Sequence, residues 1–351
     1  MCDLDRRGSA AIGGSTWGIA RDDGIDLMFT LDEMSRAHEV VLAALRPTPA
    51  LSWPLLAERL GAEVTVKHEN HLPTGAFKVR GGLVYVEALT KREPATRGLI
   101  SATRGNHGQS LAFAGRRAGL SVTIFAPEGN SSEKNAAMRA LGAELIEFGR
   151  DFQAAREEAM RLADIRGLHA VPSFHRDLAL GVSTYALELL SERPDLDVLY
   201  VPVGQGSGIC GCIAARDALG LKTDVVGVQS AQAPAYALSF AAGHVVRTNS
   251  ADTFADGMAT RVPDEEAFAM IARGAARITL VSDDEIAVAI RAYWTDTHNL
   301  AEGAGAAALA AAMKERSRLK GRKVGLVLSG GNIDFDLFRR WVLAAPSAAA
   351  A

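Results

Sequence analysis

A chain of 351 residues, 48% hydrophobic and 23% charged, can bury a large core and build more than one lobe. A formal net charge of -3 gives no electrostatic basis for binding nucleic acid or an anionic membrane surface. No apolar run reaches the length of about eighteen residues that a membrane helix needs.

The charged residues 1–7 lack the apolar core of a secretory signal. Three cysteines, Cys2, Cys210 and Cys212, are too few for a disulfide framework, so a reduced cytoplasmic setting is expected. Cys210 and Cys212 form C-x-C without a neighbouring histidine or second pair, and read as small residues packing a helix start rather than as a metal site.

In chain order, the glycine-rich first 25 or so residues lack periodicity and suit a surface wrap or an oligomer contact. Residues 31–45 read as an amphipathic helix, with Thr30 or Asp32 near its cap and Pro47 as its stop. Strands are expected at 64–67, 98–101, 121–126, 144–148, 198–203, 225–228 and 324–328. Helices are expected at 82–89, 106–118, 133–141, 152–165, 183–190, 209–219 and 283–297. This alternation predicts an α/β fold with mostly parallel sheets. No Pro-, Gly- or Ser-rich linker separates two halves, which favours interleaved lobes. The tail, residues 346–351, is low-complexity and expected to fray.

Four clusters fall at strand ends, where open α/β sheets collect ligands. The first runs Lys67-His68-Glu69-Asn70-His71-Leu72-Pro73-Thr74-Gly75-Ala76-Phe77-Lys78. Here Thr-Gly starts a helix with Phe77 and Lys78 in its first turn. The positive end of a helix dipole favours the neutral amine, the form that makes imines. Taken alone, a solvated surface lysine is the simpler reading, and His68 and His71 read as ordinary loop histidines.

The second cluster, Ser101-Ala102-Thr103-Arg104-Gly105-Asn106-His107-Gly108-Gln109, also opens a helix. Thr103, Asn106 and free backbone N–H groups suit a carboxylate or phenolate oxygen, although simple N-capping would account for Thr103 or Asn106. In the third, Gly204-Gln205-Gly206-Ser207-Gly208-Ile209-Cys210-Gly211, successive glycines let main-chain N–H groups converge on a phosphate. Gly206, Gly208 and Gly211 satisfy G-x-G-x-x-G. The next strand, however, ends in Gln229-Ser230 without the acid that would hold a ribose, so a phosphate without a ribose fits better than NAD. In the fourth, Ser329-Gly330-Gly331-Asn332, a strand ends in a hydroxyl and two glycines; alone it is a turn, and near a ring nitrogen Ser329 could make a neutral hydrogen bond.

In this order and at these separations, the four clusters resemble the fold-type II pyridoxal phosphate (PLP) enzymes, most closely the threonine/serine dehydratase and serine racemase branch. The resemblance covers roughly residues 40 to 335 and is carried most specifically by Thr74-Gly75-x-Phe77-Lys78-x-Arg80-Gly81. The segments 253–259 and 301–305 resemble later active-site segments of the family. The resemblance implies a two-lobed, tryptophan synthase β-like fold. Its small lobe, residues 98–174, is inserted in a large PLP-binding lobe made of 1–97 and 175–351. It implies PLP as cofactor, with Lys78 as the Schiff-base lysine and Phe77 packing against the ring. Asn106 would bond the 3′-oxygen, Gly204, Gln205, Gly206, Ser207 and Gly208 would hold the phosphate, and Ser329 would face the pyridine nitrogen. Thr103, Arg104, Asn106 and His107 fall where substrate is held. A hydroxyl at 329 cannot keep the pyridine nitrogen protonated as an aspartate would, so prompt loss of a β-hydroxyl is favoured over transamination.

The implied function is dehydration and deamination of a β-hydroxy-α-amino acid to a 2-oxo acid and ammonia, in a homodimer or higher homo-oligomer. A racemase or β-replacement synthase is the alternative within PLP chemistry. An NAD-dependent dehydrogenase or a nucleotide-binding protein is the alternative outside it.

Three positions depart from the family pattern. Arg104 stands where the family has a small residue, a serine in the racemases. Arginine stays protonated and shuttles protons poorly, so racemisation is not expected. Its guanidinium could meet a second carboxylate, an aromatic ring or a protein acid, or could point away. This adds 3-hydroxyaspartate and 3-phenylserine to threonine and serine as substrates. The segment 227–235 contains no Asp or Glu, so magnesium activation there is not expected. The phosphate loop carries Gln205 and Ser207 among its glycines. The chain ends soon after the fourth cluster, so no C-terminal regulatory domain is expected.

Overall fold

In the computed structural model, which describes residues 20–22 and 25–343, strands and helices alternate along most of the chain. The expectations for the first residues, for Cys2 and for the tail lie outside the described residues.

A short antiparallel pair, β1 (Ala20–Asp22) and β2 (Ile25–Leu27), precedes α1 (Leu31–Leu42). Thr30 caps α1 in a capping box with Glu33, which satisfies orphan N–H groups at both ends of the box. There follow β3 (Ala50–Ser52), α2 (Pro54–Leu60), β4 (Glu63–His68) and α3 (Lys78–Arg92). Next come β5 (Gly98–Ala102), α4 (Asn106–Arg117), β6 (Ser121–Ala126), α5 (Ser132–Ala140), β7 (Glu144–Glu147), α6 (Phe152–Arg166) and β8 (His169–Ala170). Then come α7 (Arg176–Glu192), β9 (Val198–Pro202), α8 (Ser207–Ala218), β10 (Asp224–Ser230) and α9 (Ala235–Ala242). The chain continues with α10 (Glu265–Gly274), β11 (Arg277–Val281), α11 (Asp283–Thr297), α12 (Gly303–Lys314) and β12 (Lys323–Leu328).

Two sheets form. The larger has the order β11-β10-β9-β12-β4-β3, parallel except for β3 at its edge. The smaller, β7-β6-β5-β8, is wholly parallel and is built from one continuous stretch of chain. Parallel strands need crossover helices, and those helices cover both faces. On β9, Leu199 and Val201 join the core shared with α1, α3, α7 and α8, while Val198 and Tyr200 join the core shared with α2, α11 and α12. This is the two-sided alternation of a buried strand.

The seven strands expected from sequence are present, but β1, β2, β3, β8 and β11 are additional. Four of these run for only two or three residues, and β11 is half-buried at the other edge of its sheet. Helices α3 and α7 begin earlier than periodicity places them: α3 starts on Lys78, which lines the cavity, and α7 starts on Arg176, which pairs with Glu33 of α1. The alanine-rich α12 shows no amphipathic period for a physical reason: it is buried all round between sheet and helix.

Candidate active site

The carboxyl ends of β4, β5, β9 and β12 open on one cavity of about 1160 Å³. Lys78, Thr103, Asn106, His107, Gly204, Gly206, Ser207 and Ser329 all line it, so the four sequence clusters converge.

The Thr-Gly turn is built for this. Gly75 has φ +68°, and a Cβ there would lie 2.3 Å from Asn332 Oδ1. Asn332 Nδ2 donates to the Thr74 carbonyl (2.8 Å), Gly331 N donates to the Gly75 carbonyl (2.9 Å), and Phe77 N donates to the Ser329 carbonyl (3.0 Å). These bonds tie the start of α3 to the end of β12 and turn Lys78 inward. Lys78 is therefore not a solvated surface residue. It is half-buried and lines the cavity. Its Nζ donates to Ser207 Oγ at 3.2 Å. Desolvation by burial, rather than the helix dipole expected from sequence, accounts for the lowering of its pKa to about 8.

Across the cavity, α8 begins at Ser207 after Gly206, whose φ is +103° and whose added Cβ would lie 2.6 Å from Ala267 Cβ. Two buried tyrosines hold this loop: Tyr236 Oη donates to the Gln205 carbonyl (3.0 Å) and Tyr185 Oη donates to the Gly208 carbonyl (3.1 Å). The Phe77 ring meets Tyr185 edge-on, with centroids 6.0 Å apart. Cys210 and Cys212 lie in α8 as free, buried thiols, both pushed up by burial, Cys212 to about 12.

Gly105, not Thr103 or Asn106, occupies the N-cap of α4. Thr103 Oγ1 instead accepts from Gly105 N at 3.1 Å. Asn106 Nδ2 donates to Glu302 Oε1, and Asn106 Oδ1 accepts from Asn332 Nδ2, both at 2.8 Å. His107 is buried and neutral: burial, then the neighbouring Lys78 charge, lowers its pKa to about 3, against a hydrogen bond with the Pro172 backbone. Proline has no N–H, so the ring donates to the Pro172 carbonyl and leaves Nε2, which has no protein partner, as a bare acceptor. Arg104 lines the cavity exposed, with no protein partner for its guanidinium among the described residues.

Of three further residues at the site, Asp256 and Glu302 lie in the segments 253–259 and 301–305 that resemble active-site segments, whereas Lys134 was not singled out from sequence. Glu302, at the N-cap of α12, is buried, and its Oε2 has no partner. Lys134 packs its stem on Gly105 and pairs with Asp256 at 2.5 Å. Burial opposes the Lys134 charge, but Asp256 and Glu302 hold its pKa above the ordinary value. Lys134 lies in a helix that reads as an ordinary amphipathic one. Glu302 carried a signal, an acid opening a long apolar, alanine-rich run.

Behind α3, Arg80 is fully buried and gripped by two acids. Its Nε donates to Glu69 Oε2 (2.8 Å), and its Nη1 and Nη2 donate to Glu188 (2.7 and 2.9 Å). Lys67 and His38 also bond Glu188. The cluster pins the helix that carries Lys78.

A buried amine without a carboxylate partner faces a glycine loop at a helix N-terminus, and unpartnered His107 and Glu302 atoms lie between. That donor set fits an aldehyde-bearing phosphate ligand, with Lys78 to join its carbonyl carbon and the loop N–H groups for its phosphate. The fold and site are those of a PLP enzyme. The family model described as pyridoxal-phosphate dependent enzyme matches residues 41–330, and the chain belongs to that family.

Among relatives, the chain is 36% identical to an L-threonine ammonia-lyase of Geobacter sulfurreducens, over 88% of this chain and 76% of that protein. It is 33% identical to the L-threo-3-hydroxyaspartate ammonia-lyase of Saccharomyces cerevisiae, over 88% and 93%. Among solved structures, the processed form of threonine deaminase isoform 2 from Solanum lycopersicum superposes with a TM-score of 0.83 at 30% identity, covering 91% of this chain and 95% of that one. No helix among the described residues is long and apolar enough to cross a membrane.

Proposed function

We propose that this enzyme is a dehydratase and ammonia-lyase that converts a β-hydroxy-α-amino acid to a 2-oxo acid and ammonia. The observation that carries the reading is the Lys78 amine, set against Ser207 Oγ and lowered by burial to about 8, so that the neutral form is far more accessible than for an ordinary lysine. Relatives that act on threonine and on 3-hydroxyaspartate support it.

When bound, PLP supplies a carbonyl that condenses with amines and a conjugated ring that takes up the electrons left at Cα. Lys78 would hold the cofactor through its amine, and the same amine, when free, is the group that would remove the Cα proton. The Gly204–Ser207 loop and the first turn of α8 would hold the phosphate. Phe77 would pack against the ring, Asn106 would bond the ring oxygen, and Ser329 would give the ring nitrogen a neutral hydrogen-bond partner. Thr103, Asn106 and His107 hold the substrate carboxylate and neighbouring polar atoms, with the bare Nε2 of His107 placed to accept from an O–H or N–H. Arg104 faces the β-substituent. A racemase would need a second acid/base opposite Lys78, and the guanidinium of Arg104 does not serve as one.

We further propose that residues 98–174 form a lobe inserted between 1–97 and 175–351, a division supported by the continuous origin of the smaller sheet. A cytoplasmic homodimer or higher homo-oligomer is part of the same reading. Free buried thiols suit a reducing compartment, and Leu55 and Trp294, half-exposed on the packed helices α2 and α11, offer apolar surface for a contact.

The test is direct. The purified protein should be yellow and release 2-oxo acid from a β-hydroxy amino acid, and Lys78→Ala should abolish both properties. Retained colour and full turnover in that variant would overturn the assignment.

A further inference from the structure

The amide of Asn106 has a settled orientation. Asn332 Nδ2 donates to the Thr74 carbonyl, which can only accept, so the Asn106 atom facing Asn332 is Oδ1 and the one facing Glu302 is Nδ2. One N–H of Asn106 is thus spent on Glu302 Oε1, and the other is free for a ligand oxygen. Glu302 itself is buried, bonded through one oxygen only, and packed against the Gly330 backbone, where an added Cβ would lie 2.7 Å from Oε1.

We propose that Glu302 is a positioning residue that sets, through Asn106, the charge felt at the cofactor's ring oxygen. The proposal rests on the reading of Asn106 as the partner of that oxygen.

The charges around Glu302 come from separate elements. Lys134 on α5 and Asp256 in the turn after β10 and α9 act on it in opposite senses, and Asp334 acts on Lys134. Lys78 on α3 and His107 on α4 line the same cavity. Burial, with Asp256 and against Lys134 and the Asn106 bond, pushes the Glu302 carboxyl up to about 7. Below that pH the neutral acid draws little on the Asn106 amide. Above it a full negative charge lies one hydrogen bond behind the ring oxygen and makes a negative oxygen there costlier. The site therefore changes its electrostatic setting within the physiological range without Lys78 or the substrate titrating.

The test is the visible absorbance of the holoenzyme, titrated from about pH 5.5 to 8.5 in wild type and three variants. A spectral step near neutral pH is expected in wild type and should be absent in Glu302→Gln. Asp256→Asn should move the step to lower pH and Lys134→Met to higher pH, each by roughly half a unit or more. Opposite shifts from two variants at one ion pair are not produced by a merely structural role, and they carry the test if Glu302→Gln fails to fold. A wild-type spectrum that is flat with pH, a step unmoved in Glu302→Gln, or shifts of the same sign in both charge variants would overturn the proposal. A protein with no visible absorbance at all would instead remove the cofactor reading on which it rests.

Discussion

Lys78 Nζ lies 3.2 Å from Ser207 Oγ, so the amine that opens α3 rests on the first residue of α8. The contact joins an amine lowered by burial to the N-terminal end of a helix, and among the described residues no carboxylate intervenes to hold the lysine charged. The amine should behave as a nucleophile well below the ordinary lysine range. In cofactor-free protein, the rate of PLP uptake followed by absorbance should rise with pH and level off above about 8, because only the neutral amine condenses. A rate still climbing steeply toward pH 10.5, the ordinary lysine value, would show that desolvation does not act as described.

Gly206 holds a backbone conformation that side chains rarely adopt, and it also abuts Ala267. Gly206→Ala should strain the loop by about 1–3 kcal/mol, which corresponds to PLP retention weaker by roughly fivefold to a hundredfold. Equilibrium dialysis against PLP measures this, and unchanged affinity would remove the loop from phosphate binding.

Arg104 faces the cavity without a protein acid to satisfy it. Arg104→Ala, assayed by 2-oxo acid release on threonine, serine, 3-hydroxyaspartate and 3-phenylserine, should lower kcat/KM most for the substrate whose β-substituent meets the guanidinium. A loss of about tenfold to a hundredfold is expected if that group is a carboxylate. Equal loss on all four would exclude Arg104 from specificity.

Removing Arg80 would leave Glu69 and Glu188 as buried carboxylates without their main partner. Arg80→Ala should cost about 3–5 kcal/mol of stability, read as a shift in the denaturant midpoint. A shift within experimental error would mean that the cluster relaxes or takes in water.

The same cluster predicts an acid-side dependence. Burial raises the Glu188 pKa, but hydrogen bonds from His38 and Arg80 and the charges of Arg80 and Lys67 outweigh it and hold the carboxyl below its unfolded value of 4.5. A depressed acid contributes fully above the unfolded pKa and loses that contribution as pH falls. Thermal melts of Glu188→Gln should therefore vary less with pH below about 4.5 than those of wild type. Parallel curves would assign the acid sensitivity elsewhere.

Much of this was legible in the sequence, for identifiable reasons. Strands buried on both faces, such as residues 198–202, read as unbroken apolar runs, and the glycines at 75 and 206 mark turns that only glycine makes cheaply. Lys78 could be placed because three other clusters demanded a ligand at the same strand ends. Lys134 could not, since its role depends on a long-range pair with Asp256, 122 positions away, and helical periodicity is silent about that. The edge strands β3 and β11 were missed because short or half-exposed pairing leaves little apolar pattern. Helix α12 was missed because burial on every side erases the period.

The stitching of the Thr-Gly turn to the end of β12 has a bearing on how the enzyme is made. The bonds that aim Lys78 come from Ser329, Gly331 and Asn332, some 250 residues later in the chain. A ribosome that has synthesised the whole lysine segment, the asparagine loop and the glycine loop has still not produced a lysine held in place. The aim of Lys78 is thereby deferred until residues 329–332 have been made, and a fragment truncated before residue 329 would lack the bonds that hold that turn.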